Sequence, residues 1–176
     1  MAELADALAS GASDRKIIGV RLPSPAHIYL DNFEISFMAD CIFCKVVDKE
    51  ISHHLVWEGD RFIAFLDAHP VNPGHLLIIP KEHIENIFDM PDGLYKEIFK
   101  TAKALSTPLQ KAMRSVRIGI IVEGFGVPHV HLHLVPINHG HDMDSGRAMT
   151  MSENEMKKVV NKIKTEIEIE KINSSK

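Results

Sequence analysis

The sequence predicts an α+β domain, in which one antiparallel meander sheet carries a long helix and a further helix follows at the carboxyl end. β-like runs come first, between residues 55 and 80, then a segment with helical spacing, then β-like runs up to residue 135. Strands, a helix and strands again are typical of a meander and not of repeated strand-helix-strand winding. The chain has 176 residues, 45% hydrophobic and 25% charged, which suffices for one compact core.

The first β-like runs predict a hairpin and a third strand. Residues 55–58 and 61–66 flank a Gly-Asp turn, which favours antiparallel pairing. Residues 68–74 contain two prolines and a glycine and are expected to form a loop. The apolar run at residues 75–80 then predicts a buried strand.

The middle of the chain predicts a helix and two more strands. Residues 92–113 place apolar side chains at helical spacing, and Pro108 is expected to kink or split that helix. Residues 117–123 predict a central strand, and residues 124–128 predict a tight connection into a strand that begins at His129.

The carboxyl tail predicts an amphipathic helix. Ser152 and Glu155 have the spacing of a capping box, and a single apolar face follows them. That face is made of Met156, Val159, Val160, Ile163 and Ile167. We expect it to pack on the main domain or on a partner subunit. The predicted organisation is an extension at residues 1–38 whose order the sequence leaves undefined, a main domain at 39–142 and the helix at 143–176.

Charge and hydropathy exclude several classes of partner. The net charge of -4 argues against a protein that binds nucleic acid through a general basic surface. No run of eighteen apolar residues occurs, and the first residues lack the features of a signal peptide. We therefore expect a cytoplasmic protein with neither a nucleic-acid nor a membrane partner.

Three histidines alternate with apolar residues, at His129, His131 and His133. Because the side-chain period of a strand is two, the three imidazoles should share one face. An ordinary polar strand face would rarely repeat histidine so strictly. Two chemistries fit the spacing equally: a His-x-His pair on a catalytic zinc, or an imidazole that attacks phosphorus as a nucleophile.

The two cysteines, Cys41 and Cys44, form a Cys-x-x-Cys pair that cannot join distant parts of the chain as a disulfide. The local sequence leaves two interpretations open. The pair supplies half of a tetrahedral zinc site, or it consists of free or redox-active thiols.

Four ordered motifs resemble one known family. They are Cys-Ile-Phe-Cys-Lys, Ala-Phe-Leu-Asp at residues 64–67, Pro-Gly-His-Leu-Leu-Ile-Ile-Pro-Lys-Glu-His-Ile at 73–84, and His-Val-His-Leu-His-Leu-Val-Pro at 129–136. Together, over residues 40–139, they are similar to the histidine triad (HIT) nucleotide hydrolases and transferases. This resemblance implies a HIT-like fold and a homodimer.

The resemblance also implies roles for individual residues. His131 would be the nucleophile on the α-phosphorus of a nucleotide, forming a covalent nucleotidyl-histidine. His133 would orient the phosphate, and His75 would support the triad. Asp67 would accept hydrogen bonds from the ribose hydroxyls. The walls of the base site would be Ile42, Phe43 and Phe65.

Members with the cysteine pair bind a structural zinc, and the resemblance carries its ligands over to Cys41, Cys44, His83 and His129. A closed Cys2His2 set would stabilise the fold rather than activate water. Catalytic zinc stays as the alternative.

One loop departs from the family pattern. Many members have a longer loop before the triad, with Asn and Gly-Gln-Ser, whereas residues 122–126 here are Val-Glu-Gly-Phe-Gly. Gly124 and Gly126 could still bring backbone N–H groups to an anion, so the departure affects the expected leaving group. His139 and His141 are interpreted as loop residues.

The predicted function is hydrolysis or transfer of a nucleoside monophosphate group. The expected substrate is a purine nucleoside phosphoramidate, an acyl adenylate or a dinucleoside polyphosphate. The alternative is a nucleotide-binding or interaction protein with little catalytic activity.

Overall fold

The computed structural model describes residues 41–174. The predicted extension at residues 1–38 lies outside this range, and the predicted domain boundaries stay predictions. The strands are β1 (Leu55–Glu58), β2 (Phe62–Leu66), β3 (Leu76–Pro80), β4 (Arg117–Ile121) and β5 (Leu132–Ile137). The α-helices are α1 (Ile42–Val47), α2 (Asp92–Met113) and α3 (Glu153–Ser174), with 3-10 turns at Ile87–Asp89 and Ser145–Arg147.

The predicted α+β fold is confirmed, with one refinement of the meander. The strands pair antiparallel throughout, in the order β1-β2-β3-β5-β4. After β3, helix α2 leads the chain to the edge of the sheet, where β4 lies one strand position away from β3. Strand β5 then returns and fills the position between β3 and β4. This insertion places the histidine-bearing strand beside the centre of the sheet, where β3 flanks it.

The two faces of the sheet are covered unequally. One face packs against α2 and α3 in the larger apolar cluster, which includes Leu76, Ile78, Leu132 and Leu134. The opposite face packs against the short helix α1 in a smaller cluster, which includes Phe43, Phe65 and Leu77. Because α1 has only 6 residues, it covers part of this face and leaves room for a cavity.

Helix α2 spans the residues that the sequence predicts, but it is not split at Pro108. Proline removes one backbone donor and crowds the preceding turn. Here Pro108 lies on the same buried stripe as Leu105 and Leu109. Burial of its ring in the core offsets the lost hydrogen bond, so the helix continues.

Helix α3 begins with the predicted capping box. Ser152 Oγ and the Ser152 N–H donate to Glu155 Oε2 at 2.6 and 2.8 Å, and the Glu155 N–H points back to Ser152 Oγ at 3.4 Å. The predicted apolar face is buried in the larger cluster, against α2. Among residues 41–174, no helix combines the length and apolar character needed to cross a membrane.

The two strands of the histidine region have different limits from those predicted. Strand β4 ends at Ile121, and β5 begins only at Leu132, so His129 and His131 precede the strand. The cause is a long-range bond: the Val130 N–H donates to the Ile84 carbonyl at 2.7 Å and draws the chain away from β3. The predicted alternation is nevertheless present, because Val130, Leu132 and Leu134 enter the larger core.

Candidate active site

A cavity of about 350 Å³ opens on the sheet face that α1 partly covers. Its apolar lining is Ile42, Phe43, Val46, Ile51, Phe65, Leu66, Ala68, Leu77 and Val127, and its polar lining is Ser52, His53, His54, Asp67, His131 and His133. A larger groove, of about 750 Å³, lies between α2 and α3, but no histidine or cysteine lines it. We therefore call the first of these the site cavity.

The floor of the site cavity is a row of side chains across the sheet. Phe65 on β2 is paired with Leu77 on β3, and Leu77 is paired with His133 on β5. The Phe43 ring lies over this row, 5.9 Å from the Phe65 ring and 5.3 Å from the His131 ring. Apolar walls thus lead directly to two of the three histidines.

The His131 ring is held in one tautomer by the backbone. Its Nδ1 lies 2.7 Å from the His129 carbonyl oxygen, and because a carbonyl only accepts, Nδ1 carries the proton. In the neutral ring, Nε2 then holds an unshared electron pair. His131 lines the site cavity although it is only 6% exposed, so this ring suits nucleophilic attack.

A second hydrogen-bond chain fixes His133. The Val71 N–H donates to His75 Nδ1 at 3.3 Å, so neutral His75 is protonated at Nε2 and donates to His133 Nδ1 at 2.8 Å. His133 in turn carries its proton on Nε2, as a donor. Burial, reinforced by the neighbouring His75 and His131, lowers the pKa of His133 to about 4, so the ring is neutral at pH 7. Burial also lowers the pKa of His75.

Asp67 lies at the end of β2 and lines the same cavity. Its Oδ1 accepts a hydrogen bond from the His69 N–H at 2.8 Å, which stabilises the turn after β2. Its Oδ2 lies 3.7 Å from His75 Nδ1. The carboxylate is therefore oriented by the protein and retains lone pairs toward the cavity.

Beside the cavity, four further side chains converge. The Sγ atoms of Cys41 and Cys44 and the Nδ1 atoms of His83 and His129 all lie within 4.8 Å of one another. The sulfur-to-nitrogen distances are 3.3 Å for Cys44 to His83, 3.5 Å for Cys41 to His129 and 3.6 Å for Cys44 to His129. Around a tetrahedral zinc ion, neighbouring sulfur and nitrogen ligands lie roughly 3.3 to 3.8 Å apart. The donor set therefore fits a zinc ion.

The surroundings of the four side chains support the same geometry. His129 Nε2 donates to the Pro80 carbonyl at 3.0 Å, which leaves the Nδ1 lone pair directed at the sulfurs. Burial lowers the pKa of His129 to about 4 and, with Cys41 beside it, raises the pKa of the Cys44 thiol to about 12. A bound cation would reverse the thiol's preference, because zinc binds thiolate.

The His-x-His pair does not form a metal site of its own. In the part of the chain that the structure describes, no converging donor group contains two of the three triad histidines. Asp67, His75 and His133 converge as well, but both nitrogens of His75 and Nδ1 of His133 already take part in hydrogen bonds. The geometry therefore favours a nucleophilic imidazole over catalytic zinc.

The structure places most of the predicted site residues, and adds others. His131, His133, Asp67 and the three predicted walls line the cavity, with His75 directly behind His133. Gly124 and Gly126 have φ of 77° and 83° in an exposed loop and are not among the lining residues, whereas Val127 is. Sequence reasoning missed residues 51–54, because a short polar segment between a helix and a strand carries no periodic signal.

Comparisons with known proteins bear on the family of the chain. The HIT domain profile matches residues 48–140. A HIT-like protein of Borreliella burgdorferi is 39% identical over 106 residues, which is 56% of this chain and 76% of the relative. The adenosine 5'-monophosphoramidase of Saccharomyces cerevisiae is 37% identical over 103 residues, or 56% of this chain and 63% of that enzyme.

Solved structures show the same fold. A structure described as a hypothetical histidine triad nucleotide-binding protein from Sulfolobus tokodaii superposes with a TM-score of 0.68 and 26% identity, over 74% of this chain and 94% of that one. With the profile match and the named relatives, this similarity identifies the chain as a member of the HIT domain family and an enzyme of the HIT type.

Proposed function

We propose that this HIT-family enzyme hydrolyses or transfers a nucleoside monophosphate group, with His131 as the covalent nucleophile. The observation that carries the proposal is the hydrogen bond from His131 Nδ1 to the His129 carbonyl. It fixes the tautomer of a ring that lines the site cavity and leaves the lone pair on Nε2. The substrate class is a purine nucleoside phosphoramidate, an acyl adenylate or a dinucleoside polyphosphate. The name of the yeast relative favours the phosphoramidate.

In the proposed reaction, His131 Nε2 attacks the α-phosphorus as the bond to the leaving group breaks. The leaving group departs with the bonding electron pair and takes up a proton from solvent, which regains one when water attacks in the second step. Water then cleaves the new P–N bond, releases the nucleoside monophosphate and returns the neutral imidazole. His133, with its Nε2–H, would donate to a phosphate oxygen where negative charge develops. Asp67 would hold the ribose hydroxyls.

We also propose a structural zinc on Cys41, Cys44, His83 and His129. A four-ligand protein site is closed to substrate, so the metal would supply no reaction step. It would tie α1 to the loop after β3 and to the residue two before His131. The zinc would thus hold the helix that roofs the cavity against the segment that carries the nucleophile.

The homodimer stays a proposal, supported by the exposed apolar side chains at one edge of the sheet. Strand β4 lies at that edge, where Val116 and Ile120 are exposed by 63% and 48%. An exposed apolar edge strand favours pairing with a second copy. Light scattering of the purified chain at two concentrations checks the mass, and a stable monomer would reject the dimer.

The predicted cytoplasmic location is checked by cell fractionation.

A rapid-quench experiment tests the covalent step. Wild type and His131→Ala are mixed with adenosine 5'-phosphoramidate labelled at phosphorus, and protein-bound label is counted within the first turnover. We expect label on the wild type and none on His131→Ala. His139→Ala is the matched control, because its side chain is 85% exposed and does not line the cavity.

Two results would contradict the proposal. Turnover by His131→Ala at the wild-type rate would reject the nucleophile. Tight nucleotide binding by the wild type, without label and without product, would favour the alternative of a binding protein with little catalytic activity.

A further inference from the structure

His53 is a histidine of the site cavity that the proposed chemistry does not use. It precedes β1, and its ring packs edge-on against Phe65, with 5.6 Å between the ring centres. That contact places His53 on the same face of the sheet as the cavity floor. Its side chain is half-buried.

The sheet register puts His53 at the opposite end of the cavity from the nucleophile. Leu55 on β1 is paired with Phe65 on β2, and the same row continues through Leu77 to His133 on β5. Strands lie about 4.8 Å apart, so three strand spacings, roughly 14 Å, separate the two ends of this row. This span is comparable with the length of an extended mononucleotide.

A nucleotide that fills this row has one orientation. With its phosphate at His131 and its ribose at Asp67, the base would lie over Phe65 and beside Phe43, because these two rings are in edge contact at 5.9 Å and leave no room between them. Stacking on aromatic rings is insensitive to the identity of the base. The outer edge of the base then faces His53, the next ring along.

The free nitrogen of His53 has a defined character. Nδ1 lies 3.0 Å from the Ile51 carbonyl oxygen, so Nδ1 carries the proton and donates. Nε2 of the neutral ring is therefore an acceptor, and no hydrogen bond to it occurs within residues 41–174. An acceptor at this position pairs with a donor on the base edge, such as the exocyclic amino group of adenine.

We propose that His53 is a specificity-determining residue, whose Nε2 accepts a hydrogen bond from an amino group on the outer edge of a purine base. The inference rests on the proposed function, since it takes the phosphate position from His131. A half-buried hydrogen bond of this kind contributes roughly a threefold to tenfold preference. The preference should lie in KM, because the base edge is far from the reacting phosphorus.

The test compares two substrates that differ by one amino group, adenosine 5'-phosphoramidate and purine riboside 5'-phosphoramidate. We expect the wild type to favour the adenosine compound by roughly threefold to tenfold in kcat/KM. His53→Phe keeps the ring against Phe65, so it should lose the preference and retain kcat. His53→Gln, which restores an acceptor oxygen, should recover part of it, and His139→Phe is the control.

The outcomes separate this inference from the proposed function. If both substrates turn over equally in the wild type, or if His53→Phe retains the preference, the role of His53 is wrong and the proposed function stands. If the wild type turns over neither substrate, calorimetric binding of adenosine and purine riboside monophosphates measures the same preference without chemistry. Unequal binding by the wild type that is lost in His53→Phe would then support the role of His53, and equal binding or none by the wild type would overturn it. If His53→Phe fails to fold, His53→Gln carries the comparison, and a preference unchanged in that variant would overturn the role of His53.

Discussion

His129 and His131 are separated by one residue, yet the backbone holds their rings in opposite tautomers. His129 donates through Nε2 to the Pro80 carbonyl and directs Nδ1 at two sulfurs. His131 donates through Nδ1 to the carbonyl of His129 and leaves Nε2 unpaired at the cavity. One residue type therefore supplies a metal ligand at one position and a candidate nucleophile two residues later.

The difference between the two histidines comes from their hydrogen-bond partners. Each ring donates a hydrogen bond from one nitrogen to a carbonyl oxygen, so the other nitrogen of the neutral ring carries the lone pair. The path of the chain before β5 sets which carbonyl lies near each ring. Predictions that separate the two positions therefore test the assignment of function most directly.

The largest expected effect is the loss of activity in His131→Ala. Removal of the nucleophile should lower kcat by at least about 10³-fold while nucleotide binding remains. The metal content should stay at the wild-type level, because His131 is not one of the four converging ligands. Single-turnover kinetics, calorimetric binding and metal analysis measure the three quantities. If the variant lost bound metal together with its activity, the roles of His129 and His131 would not be independent.

The opposite pattern is expected for Cys44→Ser at the metal end. The variant should lose bound zinc, and the free energy of unfolding should fall by at least about 3 kcal/mol, because a closed metal site stabilises the folded state. Elemental analysis and thermal unfolding, with and without a chelator, check this. Activity that disappears on chelation at an unchanged melting temperature would instead indicate catalytic zinc.

Much of this architecture could be predicted from local patterns. The hairpin, the buried strand and both long helices follow from side-chain periodicity, and the capping box at Ser152 marks the start of α3. Tertiary contacts decided the rest. The start of β5 depends on the bond from Val130 to Ile84, and continuation of α2 depends on burial of Pro108. No local pattern encodes such partners.

The candidate site divides in the same way. The histidine spacing indicated one shared face, and the resemblance supplied roles for His75 and His83, which the structure brings to His133 and Cys44. The tautomers depend on carbonyls placed by the fold. His53 reaches the cavity only through the pairing of β1 with β2. Neither could be obtained from residue spacing.

A moderate effect is expected at Asp67, between the phosphate and base ends. Asp67→Asn keeps an oxygen for the His69 N–H but removes the charge. KM for the ribonucleotide substrate should rise roughly tenfold, because a hydrogen bond to a charged group is lost. A substrate without the 2'- and 3'-hydroxyls should respond little to the same change. Steady-state kinetics with both substrates measures the two changes in KM. An equal rise in KM for both substrates would show that Asp67 does not bind the ribose hydroxyls.

The smallest expected effect is the contribution of His133 to the dependence of stability on pH. The pKa of folded His133 is about 4, below the ordinary value of about 6.5, so the unfolded chain binds the proton more tightly. The stabilisation is therefore complete above pH 6.5 and is lost as the pH falls toward 4. Solvent screening of this partly exposed ring limits the effect to the order of 1 kcal/mol.

His133→Gln removes the titrating ring and isolates this contribution. Denaturant unfolding of the zinc-loaded proteins at pH 7 and pH 4.5 should therefore show a smaller loss of stability in His133→Gln than in the wild type. Protons compete with zinc for its ligands at the lower pH, but the four ligands are the same in both proteins, so this loss cancels in the comparison. Equal losses in the two proteins would mean that His133 is protonated as easily in the folded chain as in the unfolded one, and the neutral donor proposed for the phosphate would then lack support.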